Sequence, residues 1–405
     1  MQTFAVKSRL GGMNPKVSQR RRRAMRIGIF TQTYLPTTNG VVSSIEIFRK
    51  TLEKAGHTFY IFAPKVGGYK DENPRVYRFP SITLPTHPDY PIAIPYFPGL
   101  TDLVKSLRLD IIHAQHIFTI CGTGLRLAHR LKIPFVHTEH TLIAEYAHYM
   151  PLLHSSTRSY LIWRVRAFCN RSDRVIAPSP AMKQTLEEYG VEVPINVNPT
   201  GIDIGKYARV DDRAARERWQ IDEKAKILMY VGRIAEEKNI GLLLKIFAHL
   251  SKTRNVHLLM IGSGPAEARY KAWVARNNLT DKVTWTGMLP HPEVIKLFGV
   301  AHVFLFPSVT DTQGIVVAEA LAAGAPVVAA NKMGPTAVIE DGKNGFLVPA
   351  RSHSFIDRVE TLLDNEKLWH RLSTAARIRA HDFSIERTAE RLEEIYVDVR
   401  NRYRA

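Results

Sequence analysis

Short apolar runs alternate with helical patterns along most of the chain. Runs with the length and composition of buried strands stand at 26–30, 57–64, 110–114, 134–138, 173–178, 227–231, 256–261, 283–285 and 303–306. Helical periodicity separates them, for example at 41–56 and 122–131. Strand–helix–strand alternation predicts parallel sheets whose strand ends open at one edge. The pattern therefore predicts an α/β protein.

The length of the chain allows two such sheets. With 405 residues, 45% of them hydrophobic, it can bury two cores of about 200 residues each. The turn at 199–201 puts the predicted boundary near Gly201, so we expect domains at 25–200 and 201–385. A helical pattern at 386–405 follows the second domain.

The positive charge of the chain is concentrated in its first half. The formal net charge is +18. Residues 1–200 hold 26 Lys and Arg against 13 Asp and Glu, whereas the remainder holds 30 against 25. A basic surface attracts nucleic acid and anionic lipid equally well. A nucleic-acid-binding protein would need interleaved aromatics and arginines on one face or a known docking module. Neither is evident, so we expect no nucleic-acid partner.

The two cysteines and the short apolar runs indicate in which cellular compartment the protein is expected. Cys121 and Cys169 are the only cysteines, and their spacing indicates neither a disulfide framework nor a zinc ribbon. No apolar run approaches the ~18 to 20 residues that span a bilayer, and the basic N-terminus lacks the apolar core of a signal peptide. We therefore expect a reduced, cytoplasmic protein that is not an integral membrane protein.

Three segments admit either a membrane function or an ordinary structural one. Residues 1–24 hold no acidic residue and form a predicted disordered basic arm, which is either a tether to anionic lipid or a dispensable extension. Prolines at 80–98 predict a loop that packs on its own domain or forms an acceptor or membrane flap. The basic amphipathic pattern at 154–179 fits a membrane-surface helix or an ordinary helix.

Two stretches of the second half carry candidate chemistry. After the run at 303–306, Asp311 stands in a predicted loop and Glu319 on the following helix. The start of that helix offers backbone N–H groups to an anionic ligand. After the run at 227–231, Arg233 and Lys238 offer a bidentate guanidinium and a point charge for a diphosphate.

Histidines collect at two predicted strand ends of the first half. They are His113, His116, His137 and His140. Imidazoles gathered at one sheet edge can bind zinc, but no ordered Cys, His and Asp spacing supports this, and we predict no metal site. An imidazole in a ligand site can instead hydrogen-bond a hydroxyl group or relay a proton.

Four motifs, in the same order, resemble those of retaining glycosyltransferases of family 4, also called group 1. TYLPTTNGV (33–41) resembles the first glycine-rich loop, and HTEHTLIAEYAHYMP (137–151) resembles the HT-containing loop. VGRIAEEKNI (231–240) resembles the diphosphate clamp, and DTQG-x4-EALAAGAPVV (311–328) is similar to the acidic-x7-acidic signature. The resemblance implies the GT-B fold, with two Rossmann-like domains facing a central cleft and the helix at 386–405 crossing back toward the first domain.

The resemblance also implies roles for individual residues. Asp311, where the family usually has Glu, would hold the hydroxyls of the donor sugar, and Glu319 would hold the nucleotide ribose. Arg233 and Lys238 would stabilise charge on the leaving diphosphate, and His140 would reach the donor sugar and the acceptor hydroxyl. Further donor contacts are expected at Gly40, Gly232, Gly262, Gly264, Thr312, Gln313 and Gly314.

The activity that the resemblance implies is retaining transfer of a hexose from a nucleotide sugar. TYLPTTNGV, HT-x4-YAHY and TQG in place of the commoner PFG look most like the diacylglycerol glucosyltransferases. The expected reaction is therefore transfer of glucose from UDP-glucose to diacylglycerol at the inner face of the cell membrane. The alternative is the same donor chemistry with an inositol phospholipid, a sulfolipid precursor or a soluble sugar as acceptor. No Asp-x-Asp triplet occurs, so we expect no cofactor and no bridging Mg²⁺.

Overall fold

Two parallel sheets organise the two halves of the chain in the computed structural model, which describes residues 23–37, 39–84, 87–143, 154–208 and 212–404. The first half contains β1 (Arg26–Phe30), α1 (Gly40–Lys54), β2 (Thr58–Pro64), β3 (Val76–Phe79), β4 (Ser81–Leu84), β5 (His87–Ala93), α2 (Leu100–Leu107), β6 (Ile111–Ala114), α3 (Thr119–Leu131), β7 (Phe135–Thr138), α4 (His154–Cys169), β8 (Arg174–Ala177), α5 (Pro180–Glu188) and β9 (Ile195–Val197). Its seven-stranded parallel sheet has the order β3-β2-β1-β6-β7-β8-β9.

The second half repeats this plan. It contains α6 (Arg213–Trp219), β10 (Lys226–Val231), α7 (Ile240–Leu250), β11 (Val256–Ile261), α8 (Glu267–Arg276), β12 (Val283–Trp285), α9 (His291–Phe298), β13 (Val303–Phe306), α10 (Ile315–Ala323), β14 (Val327–Ala330), α11 (Pro335–Val338), β15 (Gly345–Val348), α12 (Ser352–Asp364), α13 (Glu366–Ala380) and α14 (Ile385–Arg404). Its six-stranded parallel sheet has the order β12-β11-β10-β13-β14-β15. The two sheets confirm the predicted α/β class.

The central strands are buried on both faces, which is why they read as continuous apolar runs. In the first half, Ile29 of β1 is in register with Ile61 of β2 and His113 of β6. In the second half, Met229 of β10 is in register with Leu259 of β11 and Phe304 of β13. Parallel register aligns the carboxyl ends of these strands, so the loops that follow them meet at one edge of each sheet.

The proline-rich segment at 80–98 differs from its predicted loop. β4 and β5 form an antiparallel hairpin in which Ile82 is in register with Ile92. In a two-stranded ribbon both strands are edge strands. Proline lacks a backbone N–H group, and on an edge strand its backbone nitrogen can face away from the hydrogen-bond ladder. Our prediction of a loop was therefore wrong for β4 and β5, although neither of them is a central strand. Ile82 and Ile92 are 58% and 45% exposed.

The C-terminal helix α14 packs on the first domain. Its apolar side chains, Ala389, Leu392, Ile395, Tyr396 and Val399, are buried together with Met25 and the strand residues Ile27 and Ile29. The Tyr396 hydroxyl lies 2.7 Å from Nδ1 of His113 on β6. The backbone N–H of Ile202 donates to the Phe383 carbonyl, and that of Ile385 donates to the Ile202 carbonyl. The chain therefore passes between the domains at two adjacent points.

These crossing segments approach most closely at Gly201. A Cβ added there would lie 2.3 Å from Oγ1 of Thr388 and 2.7 Å from the backbone Cα of Ile385. We expect Gly201→Ala to lower the free energy of unfolding by about 1–3 kcal/mol, because backbone atoms must move to admit the methyl group. Chemical denaturation measures this loss.

Gly67→Ala is the matched control for this substitution. A Cβ at the exposed Gly67 meets no atom within 4 Å. We expect the control to change the free energy of unfolding by less than about 0.5 kcal/mol. Equal stabilities for the two variants would show that the crossing is not tightly packed.

Candidate functional site

The loops at the strand ends of both sheets line one cleft with a volume of about 1280 Å³. The first domain contributes Gly40, at the start of α1, and His140, which follows β7. The second domain contributes Lys238, Asp311 and Glu319. A crevice outside the carboxyl ends of parallel strands is the usual ligand site of an open α/β sheet. The cleft is therefore the candidate functional site.

A lysine and a carboxylate meet at the second domain's wall of the cleft. Nζ of Lys238 lies 3.1 Å from Oδ2 of Asp311. Oδ1 of Asp311 accepts hydrogen bonds from the backbone N–H groups of Gly314, at 2.6 Å, and Gln313, at 3.3 Å. The loop 311–314 thus turns around its own carboxylate. Two of the N–H groups that we expected to face a ligand are engaged by Asp311.

The second carboxylate is buried in the cleft wall on α10. Glu319 is only 5% exposed. Its Oε1 accepts hydrogen bonds from the Tyr207 hydroxyl at 2.6 Å and from Nε2 of His291 at 2.9 Å. A buried carboxylate needs such donors to offset the loss of water. The two donors fix the orientation of the Glu319 side chain toward the cleft.

Tyr207 and His291 are site residues that the sequence analysis missed. Tyr207 is buried and lies 112 positions from Glu319, and no local pattern marks it. His291 begins α9, after the sequence Met288-Leu289-Pro290, and all four residues line the cleft. For His291, the one signal in the sequence was its position directly after Leu289-Pro290. Burial and the charge of Glu319 raise the pKa of Tyr207, so its hydroxyl stays protonated and donates.

His140 is a neutral imidazole at the wall of the first domain. Its Nε2 lies 2.7 Å from the side-chain oxygen of Gln115. Burial, followed by the charges of nearby histidines, lowers its pKa well below the ordinary value of 6.5. The ring can therefore accept a proton only weakly at pH 7, and hydrogen bonding is its main capability. Residues 144–151 of the HT-containing motif lie outside the described residues.

Three hydrogen bonds join the loop 311–314 to the first domain. Oγ1 of Thr312 donates to the backbone carbonyl of His140 at 2.7 Å. The backbone carbonyl of Thr312 accepts from Oγ of Ser179 at 2.6 Å. The side-chain amide of Gln313 donates to the backbone carbonyl of Thr200 at 2.9 Å. The loop that carries Asp311 is consequently held by both domains, and we call these three bonds the interdomain clasp.

The remaining predicted residues lie beside the cleft. Gly232, Arg233, Gly262 and Gly264 follow the ends of β10 and β11, and none of these four described residues lines the cleft. The guanidinium of Arg233 is 59% exposed and lies 3.9 Å from Oε1 of Glu237. Their roles in donor binding stay predictions.

The glycines at these strand ends have a structural reason of their own. A Cβ at Gly262 would lie 2.2 Å from the Gly232 carbonyl, and one at Gly264 would lie 2.4 Å from the Ile234 carbonyl. The two loops approach backbone to backbone, which only glycine permits at these positions. Gly40 differs, because a Cβ there meets nothing within 4 Å.

The arrangement is suited to an anionic ligand that carries hydroxyl groups. Lys238 supplies positive charge, and Asp311 and Glu319 supply oriented acceptors for hydroxyls. Two facing Rossmann-like domains with such a cleft between them define the GT-B architecture.

Comparison with known proteins identifies the family. Residues 211–379 match the model "Glycosyl transferases group 1", and residues 38–206 match "Glycosyltransferase Family 4". An alpha-monoglucosyldiacylglycerol synthase of Streptococcus pneumoniae is 33% identical, covering 92% of this chain and 86% of the relative. The chain belongs to the group 1 glycosyltransferases and is a glycosyltransferase.

Two further comparisons extend this finding. A GDP-mannose-dependent alpha-mannosyltransferase of Corynebacterium glutamicum is 28% identical, covering 84% of this chain and 79% of the relative. The crystal structure of Anabaena HepE in complex with UDP-glucose superimposes with a TM-score of 0.73 at 18% identity, covering 92% of this chain and all of HepE. At that identity the likeness concerns the fold.

We expect removal of the Thr312 hydroxyl to slow glycosyl transfer. Thr312→Val keeps the shape of the side chain but breaks its bond to the His140 carbonyl. The expected loss in kcat/KM is about fivefold to tenfold, which corresponds to one hydrogen bond of about 1 kcal/mol. Steady-state kinetics measure it. Thr361→Val, which breaks a bond within the exposed part of α12, is the control and should leave kcat/KM unchanged.

The pair of His291 and Glu319 should add a pH-dependent contribution to stability. The hydrogen bond from His291 to Glu319 raises the pKa of His291 above its ordinary value of 6.5, although burial and Lys206 lower it. A raised pKa means that the contribution is complete below pH 6.5 and disappears as the pH rises through the folded-state pKa. The thermal midpoint of the wild type, minus that of His291→Asn, should fall over this interval. A difference that is constant between about pH 5 and 8 would contradict the pairing.

Proposed function

We propose that the protein is a retaining glucosyltransferase that moves glucose from UDP-glucose to diacylglycerol at a membrane surface. The observation that carries this proposal is the meeting of Lys238, Asp311 and Glu319 in one cleft. The similarity of the protein, over 92% of its chain, to an alpha-monoglucosyldiacylglycerol synthase supports the choice of sugar and acceptor.

The donor binds against the second domain in this proposal. Glu319, oriented by Tyr207 and His291, accepts hydrogen bonds from the ribose hydroxyls. Lys238 pairs with Asp311 of the loop 311–314, and its ammonium stabilises the charge that develops on the diphosphate as the glycosidic bond breaks. Arg233 is exposed, and a rotation of its side chain brings the guanidinium to the same phosphates. The HepE complex with UDP-glucose supports this class of donor in the same fold.

Asp311 positions the sugar. In the structure it pairs with Lys238 and with the backbone of its own loop, which holds the carboxylate at the second domain's wall of the cleft. Glucose hydroxyls then bind this carboxylate, and the anomeric carbon faces the first domain. His140 is neutral and lies across the interdomain clasp, so it offers a hydrogen bond to a sugar or acceptor hydroxyl. These groups orient the reactants and stabilise charge without a bridging metal ion.

Apolar side chains at the mouth of the cleft support a lipid acceptor. Ile92 of the hairpin lines the cleft from the first domain, and Met288 lines it from the second. Their side chains are 45% and 69% exposed. Ile82 is in register with Ile92 and is 58% exposed. A glycerol hydroxyl of diacylglycerol can enter the polar cleft while its acyl chains contact this apolar rim.

Helix α4 supports contact with a membrane surface. Tyr160 and Trp163 are 56% and 57% exposed, and their ring centroids are 5.9 Å apart. Val165 and Phe168 are buried instead and face the core. Arg158 and Arg166 lie on the same helix as the exposed rings. Aromatic rings beside arginines are typical of the boundary between water and an anionic lipid surface. In the parts of the chain that the structure describes, no helix is both long and apolar enough to cross a bilayer.

A second candidate keeps the site but changes the donor or the acceptor. The GDP-mannose-dependent relative covers most of this chain, so similar motifs accommodate another nucleotide sugar in that protein. The acceptor would then be an inositol phospholipid, a sulfolipid precursor or a soluble sugar.

A matrix of donors and acceptors separates the two candidates. UDP-glucose, UDP-galactose and GDP-mannose are each incubated with the full-length protein and with vesicles that contain diacylglycerol or phosphatidylinositol. We expect a labelled product only from UDP-glucose and diacylglycerol, with an α-linkage by NMR. If a product formed only with GDP-mannose as donor, or only on vesicles that contain phosphatidylinositol, the second candidate would be established.

The same assay tests the site. We expect Lys238→Ala and Glu319→Ala to reduce kcat/KM at least about 100-fold, because each removes an oriented charge from the donor site. Lys343→Ala, which removes an exposed lysine paired with Glu340 on the surface, should retain full activity. Circular dichroism checks that each variant folds. Normal turnover in folded Lys238→Ala would exclude the proposed diphosphate contact.

A further inference from the structure

Three side chains with metal-binding chemistry converge behind the cleft. His137 lies on β7, Glu139 follows that strand, and Cys169 is the last residue of α4. All three are buried, with exposed fractions of 0%, 5% and 0%. One ligand atom from each residue lies within 4.8 Å of the other two. Cys169 lies 30 positions after Glu139 in the chain, so only the fold brings Cys169 to the other two residues.

The hydrogen bonds of His137 leave one nitrogen facing this cluster. Its Nδ1 lies 3.2 Å from the backbone carbonyl of Ala114 on β6. A carbonyl oxygen only accepts, so Nδ1 carries the proton and Nε2 of the neutral ring presents a lone pair. Nε2 lies 3.2 Å from Oε2 of Glu139, which is also an acceptor when the carboxylate is ionised. This contact therefore needs either an additional proton or a cation.

A cation explains more of the geometry than a proton does. An additional proton satisfies His137 and Glu139 alone, whereas a divalent ion also engages the sulfur of Cys169. A ligand histidine commonly donates its other N–H to a backbone carbonyl, as His137 does to Ala114. One carboxylate, one thiolate and a divalent cation sum to zero charge, so no net charge is buried.

We propose that His137, Glu139 and Cys169 bind one zinc ion. A set of one nitrogen, one oxygen and one sulfur ligand suits zinc rather than magnesium or calcium, which prefer oxygen ligands alone. With both carboxylate oxygens as ligands, Glu139 would complete four-coordination. We predicted no metal site from the sequence, because these ligands have no ordered spacing along the chain.

The other histidines of this region have different partners. His113 lies between the hydroxyls of Tyr396 and Thr138, each at 2.7 Å. Nδ1 of His116 accepts from the backbone N–H of Gln32. His140 bonds to Gln115 in the cleft. The zinc ion would consequently join the end of β7 to the end of α4 and would hold in place the backbone that leads to His140. It would lie outside the cleft and take no part in glycosyl transfer.

Elemental analysis of the full-length protein tests the proposal directly. The protein is produced without a histidine tag, incubated with zinc chloride and passed through a desalting column. We expect about one zinc ion per chain in the wild type. We expect at least about a tenfold lower content in Cys169→Ser and His137→Gln, since each loses a ligand.

Cys121→Ser is the matched control. Cys121 is equally buried, but its sulfur donates to the Phe30 carbonyl, and Cys121 is not one of the three residues whose ligand atoms converge. The control should keep the zinc content of the wild type. Equal zinc contents in Cys169→Ser and the wild type would overturn the proposal.

Cobalt substitution gives a readout that does not depend on the folding of any variant. Wild-type protein that has been treated with a chelator is titrated with cobalt chloride. A thiolate–cobalt charge-transfer band in the near ultraviolet, saturating at about one equivalent, is the expected result. A wild type that binds neither zinc nor cobalt would overturn the proposal. Neither result bears on the donor or the acceptor, so the proposed function is tested separately.

Discussion

The geometry of the loop 311–314 depends on three sets of contacts that act on it together. Its own carboxylate, on Asp311, accepts from two backbone N–H groups of the loop. Lys238 holds the same carboxylate from the second domain, and the interdomain clasp holds Thr312 and Gln313 from the first. A short polar loop in water loses conformational entropy on ordering, so it needs such a set of partners to keep one geometry. The relative position of the two domains and the geometry of the acidic loop are consequently coupled.

The buried Glu319 illustrates how the fold makes a charged group usable. Burial of a carboxylate is costly, and this cost is offset by the hydroxyl of Tyr207 and the imidazole of His291. Tyr207 comes from the segment that links the domains, whereas His291 begins α9. A carboxylate fixed in this way loses little side-chain entropy when it meets a ligand hydroxyl. A carboxylate that is preorganised in this way binds and stabilises a ligand more effectively than a mobile carboxylate on the surface does.

The packing of α14 on the first domain gives the molecule a second connection between its halves. The chain leaves the first domain near Gly201 and returns near Ile385, and the two crossing segments are hydrogen-bonded to each other. Two adjacent crossings therefore connect the domains at one place. The interdomain clasp joins the acidic loop to the first domain at His140, Ser179 and Thr200. Movement of the domains would therefore act on the acidic loop directly.

Apolar periodicity predicted the α/β class and the central strands, and local motifs predicted roles for Asp311, Glu319 and Lys238, because both signals depend on neighbouring residues. Neither signal predicted the hairpin of β4 and β5, since strand pairing overrode the preference of the prolines. The partners of the buried polar groups depend instead on contacts between residues that are distant in the chain. Tyr207 meets Glu319 across 112 positions, and Ser179 meets Thr312 across 133. Contacts at such separations arise from how the two sheets pack, which no local pattern of residues encodes.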